Sequence, residues 1–203
     1  MGLPQAQPPC MSTKPCLDKA AAEHEPLQRC VMASAQCGGK VMKLRRRTIT
    51  DADHPFLATL YASTRQEELA PVPWTDEQKQ AFLQFQFEAQ HTHYMQHFPD
   101  ASYEIILLKN KPIGRLYLDR REDEIRIVDI ALLQAYRNRG IGSQLLHTVF
   151  DEARAAGLLV RIHVEVNNPA MRLYQRLGFR KVNEDGIYWL MEWTPSDKPT
   201  KES

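Results

Sequence analysis

The sequence predicts a mixed α/β (α+β) fold, a central mixed sheet with helices on both faces. Three observations predict it. Segments of four to nine residues that read as strands, one of them alternating cleanly between apolar and polar side chains, recur between Leu44 and Trp193. Some of them follow one another through short polar turns, the connection of antiparallel neighbours. Others are separated by apolar residues at helical spacing, the connection that parallel neighbours require. Both connections in one chain imply a mixed sheet whose faces are covered by helices.

The elements follow in order. Leu44–Ile49 reads as the first strand. Asp51 or Asp53 caps a helix carrying Phe56, Leu57, Leu60 and Tyr61, which Ala70-Pro71-Val72-Pro73 interrupts. Thr75 starts a second helix, with Gln78 completing a capping box. Leu83, Phe87, Tyr94 and Phe98 share one face of that helix, and Pro99-Asp100 ends it. Tyr103–Leu108 and Ile113–Leu118 flank Asn110-Lys111-Pro112, a hairpin turn, and Arg120–Asp123 is a second turn leading into the strand Ile125–Leu133. Ile141–Ala156 is a helix with Leu145, Val149 and Ala153 inward and Gly157 as its stop. In Arg161–Val166 the apolar Ile162, Val164 and Val166 alternate with Arg161, His163 and Glu165. Asn168-Pro169 opens a short helix that Gly178 closes, and Phe179–Val182 and Ile187–Trp193 flank the hairpin signal Asp185-Gly186. The order is β-α-α-β-β-β-α-β-α-β-β.

Composition narrows the function. The 203 residues include 26 basic and 25 acidic side chains, a net charge of +1, which argues against a dedicated nucleic-acid binder. A composition of 43% hydrophobic and 25% charged residues is that of an ordinary soluble protein, and no apolar run approaches the roughly 20 residues of a membrane span. Residues 1–41 hold all four cysteines and five of the 13 prolines but no aromatic residue, so they are expected to be a disordered leader. The leader lacks the apolar core of a secretory signal. Asp18, Glu23 and Glu25 argue against a mitochondrial presequence, and Ala6 stands where a myristoylation signal needs Ser or Thr. Cys10, Cys16, Cys30 and Cys37 have no metal-binding spacing, and a cysteine-free remainder fits a cytoplasmic protein. The expected organisation is the leader, a domain over 42–193 and a disordered polar tail over 194–203.

The most informative stretch is Arg137-Asn138-Arg139-Gly140-Ile141-Gly142, between a strand end and a helix start. Unpaired N–H groups and the positive dipole end favour phosphate there, glycines allow close approach, and the two arginines add charge. The pattern is neither a dinucleotide-binding GxGxxG nor a P-loop. One strand and one helix start later comes Asn167-Asn168-Pro169-Ala170-Met171-Arg172-Leu173-Tyr174-Gln175-Arg176-Leu177-Gly178-Phe179. Together the two stretches resemble the GNAT N-acetyltransferase superfamily. Arg137, Gly140 and Gly142 match its [Q/R]-x-x-G-x-[G/A] motif, and Ala170, Leu173, Tyr174, Gly178 and Phe179 match its A-x-x-L-Y-x-x-x-G-F motif. The resemblance covers roughly Lys43–Trp193 and implies an acyl-CoA acyltransferase fold.

It also implies acetyl-CoA as co-substrate and transfer of its acetyl group to a primary amine, by direct attack on the thioester. The backbone of Ile130, Ala131 and Leu132 is expected to pair with the pantetheine arm, where strands Ile125–Leu133 and Arg161–Val166 splay apart. Asn138, Arg139, Gly140, Ile141, Gly142 and Ser143, with Arg137, are expected around the pyrophosphate. Asn167 or Asn168 is expected to bond the pantetheine or the helix start. Tyr174 matches the residue that protonates the departing thiolate, a role a phenol held beside the sulfur can fill. Asp129 and Glu165 are the nearest acidic groups, each equally an ordinary ion-pair partner. The competing class is a CoA-sensing or interaction domain of the same fold without turnover.

Other signals are weaker. His91, His93 and His97 cluster on the second helix without a convincing third metal ligand, so no metal is expected. Arg45-Arg46-Arg47 reads as charge on an edge strand. Around the expected acceptor cleft stand Glu67, Glu68, Pro71, Pro73 and Trp74 on one side and Asn183, Glu184 and Asp185 on the other, which favours a cationic amine, small or peptidic. The expected partners are acetyl-CoA and that amine, with no nucleic acid and no membrane, in a monomer or homodimer.

Overall fold

The structure, a computed structural model, describes residues 42–195. The expected leader over 1–41, its four cysteines and the tail from 196 on lie outside the described residues. Seven strands form one sheet in the order β1-β2-β3-β4-β5-β7-β6. β1 (Leu44–Thr48), β2 (Ser102–Leu108), β3 (Lys111–Arg120) and β4 (Glu124–Leu132) run antiparallel in sequence. β5 (Leu159–Glu165) lies parallel to β4, and β7 (Tyr188–Trp193) and β6 (Arg180–Asp185) complete the sheet antiparallel. The helices are α1 (His54–Leu69), α2 (Asp76–His97), α3 (Ile141–Ala156) and α4 (Met171–Arg176). The expected mixed sheet and element order are therefore the observed ones.

Alternation along β3 separates the two faces. Leu116 and Leu118 join Ile125 and Ile127 against Leu145, Leu146, Val149 and Phe150 of α3, all buried. Phe150 stacks on Trp193 at 4.2 Å. On the side of α1 and α2, Leu57, Tyr61, Phe87 and Ile105 form a second, smaller core. β3 contributes Arg115 and Tyr117 to that side, both buried, and Arg115 bonds Gln90 of α2.

One local reading needs correction. The turn between β2 and β3 is Lys109-Asn110, with φ of 51° and 64°, and Leu108 already faces Lys111. Two residues with positive φ make the tight turn that matches strand twist, and Asn tolerates that region better than most side chains. Pro112 belongs to β3, at a register slip between Ile106 and Leu107, where a bulge tolerates its missing N–H.

At the entry to α1, Asp53, one of the two caps the sequence offers, holds the N-cap position, though its side chain makes no capping bond to the helix. Thr50 caps a 3₁₀ turn over Asp51–Asp53 that leads into the helix. The Asp53 carboxylate accepts from the Thr50 N–H at 2.9 Å and from both terminal nitrogens of Arg47 at 2.6 Å. Those bonds, the Arg47 pair foremost, hold the Asp53 carboxyl well below the usual carboxylate range. A depressed folded-state pKa contributes stability that is present above about pH 4, the unfolded value, and is lost as pH falls through the folded value. Asp53→Asn is expected to lose about 1 kcal/mol at pH 7, a modest figure because Arg47 is partly exposed. Urea unfolding at pH 7 and near pH 2 checks this, since the difference from wild type has to shrink in acid.

The feature that positions the site is where β4 and β5 part. They pair from Glu124–Leu159 to Ile127–Ile162 and no further. Val128 is an extra residue in β4, because Leu118 faces Ile127 while Tyr117 faces Asp129. Beyond this bulge β4 continues along β3 as far as Gly114–Leu132, and β5 continues along β7 as far as Glu165–Tyr188. A gap between the two strands results, as the sequence led us to expect.

Candidate active site

Ile130, Ala131 and Leu132 border the gap, half-buried. Their approach to β3 is unusually close at Gly114, where an added Cβ would stand 2.3 Å from the Ala131 carbonyl oxygen and 2.7 Å from Leu132 Cδ2. Sequence reading passed over Gly114, although a lone glycine inside a strand pattern signals such an approach. At the end of β4 the Arg137 Nε donates to the Leu132 carbonyl at 2.9 Å. Arg137 thus ties the strand end to the loop that follows, and one of the three expected backbone partners already has a donor.

That loop turns through left-handed residues at Asn138 (φ 58°) and Gly140 (φ 79°). Asn138, Arg139 and Gly140 are exposed, and Arg139 lies 5.8 Å over the Tyr136 ring. Ile141 points into the core and anchors the helix start. No side chain caps α3, so its first-turn N–H groups, including those of Gly142 and Ser143, are not consumed by a capping oxygen. Gly140 needs glycine for its φ and has open space around it. At Gly142 a Cβ would stand 3.1 Å from Leu173 Cδ2 of α4, so the tip of that leucine would have to give by a few tenths of an ångström. The helix start is also tied to β1, because Gln144 exchanges bonds with the Met42 backbone at 2.8 and 3.2 Å.

The two asparagines separate cleanly. Asn168 Oδ1 accepts from the Ala170 N–H at 2.8 Å and shapes the entry to α4, whereas Asn167 is exposed. Tyr174 follows one turn into the helix, 3% exposed, with its ring edge-on to Phe179 at 5.6 Å. Burial, and after it the negative charge of Asp129, pushes its phenol far above the ordinary tyrosine value.

Asp129 sits on β4 one residue past the bulge and belongs to a buried polar group that the sequence did not reveal. Arg115 Nη2 donates to Asp129 Oδ2 at 2.5 Å and to Gln90 Oε1 at 2.8 Å. The Arg115 guanidinium carbon lies 5.2 Å over the Tyr117 ring. Burial works against the Arg115 charge, yet Asp129 together with the Tyr117 and Tyr94 phenols outweighs it and the guanidinium pKa rises. Burial pushes the Tyr117 phenol up to about 12 and holds the Tyr94 phenol well above the ordinary tyrosine value. Glu165, the other acidic candidate, pairs with Arg65 of α1 at 3.5 Å. Both acids therefore have the ion-pair partners that the sequence allowed.

At the expected acceptor rim Glu68 pairs with Arg65 at 3.0 Å, and Glu184 pairs with Lys181. Among the described residues Glu67 and Asp185 are left without an ion pair. Trp74 packs edge-on against Phe82 at 5.2 Å, and with Gln78 and Ala81 these rings line a shallow hollow at the start of α2. The His93 and His97 rings stack at 4.0 Å, and among the described residues no group of three or more His, Cys, Asp or Glu side chains is placed to hold a metal. No helix among the described residues is long and apolar enough to cross a membrane.

This arrangement is that of an acetyltransferase fold: a mixed sheet parted between two parallel strands, with an uncapped helix start beside the opening. The model of the acetyltransferase (GNAT) family matches residues 58–179, more than half of the chain, and the chain belongs to that family of enzymes. An N-alpha-acetyltransferase of Sulfurisphaera tokodaii is 37% identical over 59 residues, which span 28% of this chain and 35% of that protein. The structure of a PaiA N-acetyltransferase from Thermoplasma acidophilum, solved with coenzyme A, superposes with a TM-score of 0.59 at 18% identity over 75% of this chain and 99% of that one. An acetyltransferase from Thermus thermophilus gives 0.53 at 22% identity over 76% and 98%. These likenesses concern the fold.

Proposed function

We propose that the chain is a cytoplasmic N-acetyltransferase that moves the acetyl group of acetyl-CoA to a primary amine, with Tyr174 as its general acid. The observation that carries this reading is Tyr174 itself, a buried phenol held protonated at neutral pH beside the parted strands. The residues present fit the co-substrate. Uncapped N–H groups at the start of α3, open space at Gly140 and the exposed Arg139 suit a diphosphate, and free edges of β4 and β5 suit an extended amide-bearing arm. In this reading Asn138–Ser143 surround the pyrophosphate and Ile130–Leu132 line the arm. Asn167 is the asparagine free to bond the arm, since Asn168 is engaged with the helix start.

Acetyl-CoA supplies an activated thioester. The amine attacks its carbonyl carbon directly, the C–S bond breaks, and the phenol proton of Tyr174 passes to the departing sulfur. The nitrogen's surplus proton leaves to solvent. Thiol release from acetyl-CoA across a panel of small amines and peptides tests the reading, and CoA binding without amine-dependent release would instead identify a sensor of the same fold.

The acceptor is proposed to be a cationic amine, small or peptidic, drawn by Glu67 and Asp185 at the rim. With only those two acids unpaired the steering is weak and lies at the surface, so it has to fade with salt. The expected result is a severalfold higher kcat/KM for cationic than for neutral amines at low ionic strength, lost by about 0.5 M salt. Equal rates for the two kinds of amine at low salt would remove the rim acids from acceptor choice.

A further inference from the structure

The two edges of the sheet are built differently. β1 closes one side and β6 the other. β1 carries Arg45, Arg46 and Arg47 in succession, so a second copy laid antiparallel along it would set arginine against arginine, and like charge guards that edge. β6 has no such guard. All six of its residues, Arg180-Lys181-Val182-Asn183-Glu184-Asp185, are exposed, and its outer side has no neighbouring strand among the described residues. Two cations stand at one end and two anions at the other. Val182 is an extra residue, because β7 pairs with Arg180, Lys181, Asn183, Glu184 and Asp185 and passes over it. This bulge decides which charges share a face. In a regular strand, residues three or five apart point to opposite faces. With the extra residue, Lys181 and Glu184 fall on one face, where they form an ion pair beside the Trp189 ring. Arg180 and Asp185, opposite Glu192 and Tyr188 of β7, both fall on the other.

We propose that the β6 edge is a homodimer interface, in which a second copy of this chain adds its own β6 antiparallel about a two-fold axis through the bulge. That rotation turns the strand end for end and keeps each face of the sheet on its own side. Arg180 then faces Asp185 of the partner subunit on one face, and Lys181 faces Glu184 of the partner subunit on the other. The same two contacts recur across the axis, where the half-exposed Val182 lies beside its own copy. Main-chain groups on the outer side of β6 supply the bonds between the strands, and the charges set direction and register. A parallel arrangement would set like charge against like. Arg180 and Asp185 have no ion pair among the described residues, so the interface gives each a partner without taking one away. It also takes up Asp185, so in the dimer the steering of a cationic acceptor proposed above falls to Glu67.

A short strand edge makes a small interface, so the dimer is expected to be weak, populated at about 0.1 mM chain and low salt. Sedimentation velocity of the full chain reads it without reference to any activity. Wild type is expected at twice the chain mass under those conditions, with a dissociation constant that rises about tenfold or more by about 0.5 M salt. Two charge-reversed chains carry the specific test. Arg180→Asp/Lys181→Glu makes all the charges of β6 negative, and Glu184→Lys/Asp185→Arg makes them all positive. Each alone is expected to stay monomeric where wild type dimerises, because like charges then face each other at every position. Mixed in equal amounts, the two restore opposite charge at every position, and a one-to-one heterodimer is expected. The substituted residues are exposed, so both variants are expected to keep the wild-type circular dichroism and Tm. A wild-type chain that is monomeric at about 0.1 mM, or a dimer indifferent to salt, overturns the proposal. So do single variants that dimerise like wild type, or a mixture that stays monomeric. None of these outcomes bears on acetyl transfer.

Discussion

Tyr174→Phe is expected to lower kcat by about 10²–10⁴-fold with acetyl-CoA KM changed little. The ring fills the same space against Phe179, and the helix entry set by Asn168 is untouched, so the fold and the borders of the gap survive. In the proposed mechanism, what goes is the proton for the departing sulfur. A loss confined to kcat is the pattern of an interaction made only in the transition state. Because burial and Asp129 both raise the phenol pKa, the wild-type rate is not expected to fall on the alkaline side through loss of this proton below pH 10. Steady-state kinetics on the pair of proteins decides it: equal kcat would leave Tyr174 as a packing residue of the α3 face.

Gly114→Val is expected to cost about 3 kcal/mol or more of stability, at the upper end of overpacking penalties. The reason is that the added carbon meets backbone. An Ala131 carbonyl oxygen at 2.3 Å and the Leu132 Cα at 3.2 Å cannot swing aside as a side-chain tip would. Relief requires β4 to withdraw from β3 at its end, which breaks the Gly114–Leu132 and Arg115–Ala131 pairs and displaces the border of the gap. Urea unfolding measures the first effect and acetyl-CoA titration of the remaining folded protein the second. A variant as stable as wild type would show that the strand end yields easily and that Gly114 has no special place.

Local grammar made much of this legible. α3 was read to the residue, because its loop glycine, apolar stripe and Gly157 stop are all local signals, and Thr75 with Gln78 marked the start of α2 unambiguously. The same grammar misplaced the β2–β3 turn, where Pro112 outweighed Asn110 as a turn signal although a bulge lets proline sit in the strand. The family motifs lie in single loops and helix starts, and so the phosphate-side candidates and Tyr174 could be named in advance. The Arg115–Asp129 group could not. Its members come from α2, β3 and β4, and they meet only because a single extra residue, Val128, shifts the register of β4 against β3. In sequence Arg115 is one cation in a strand that looks half-exposed, and nothing local says that it is buried.

The seam between β4 and β5 also has a meaning for the order in which the molecule is assembled. Every strand from β1 to β4 precedes α3 in the chain, and β5, β6 and β7 all follow it. The first four strands pair with antiparallel neighbours, two of the three pairings arising inside residues 102–132 through short turns. The parallel seam is different: four residue pairs close a loop that contains the whole of α3. Closing such a loop costs chain entropy before any contact rewards it, so this step is expected to come after the N-terminal meander has formed. The opening beside Tyr174 exists only once the seam has joined. On that expectation the scaffold forms first and the gap last, and a chain released before β5 would hold a complete half-sheet with its β4 edge unpaired, the kind of edge that pairs with other chains.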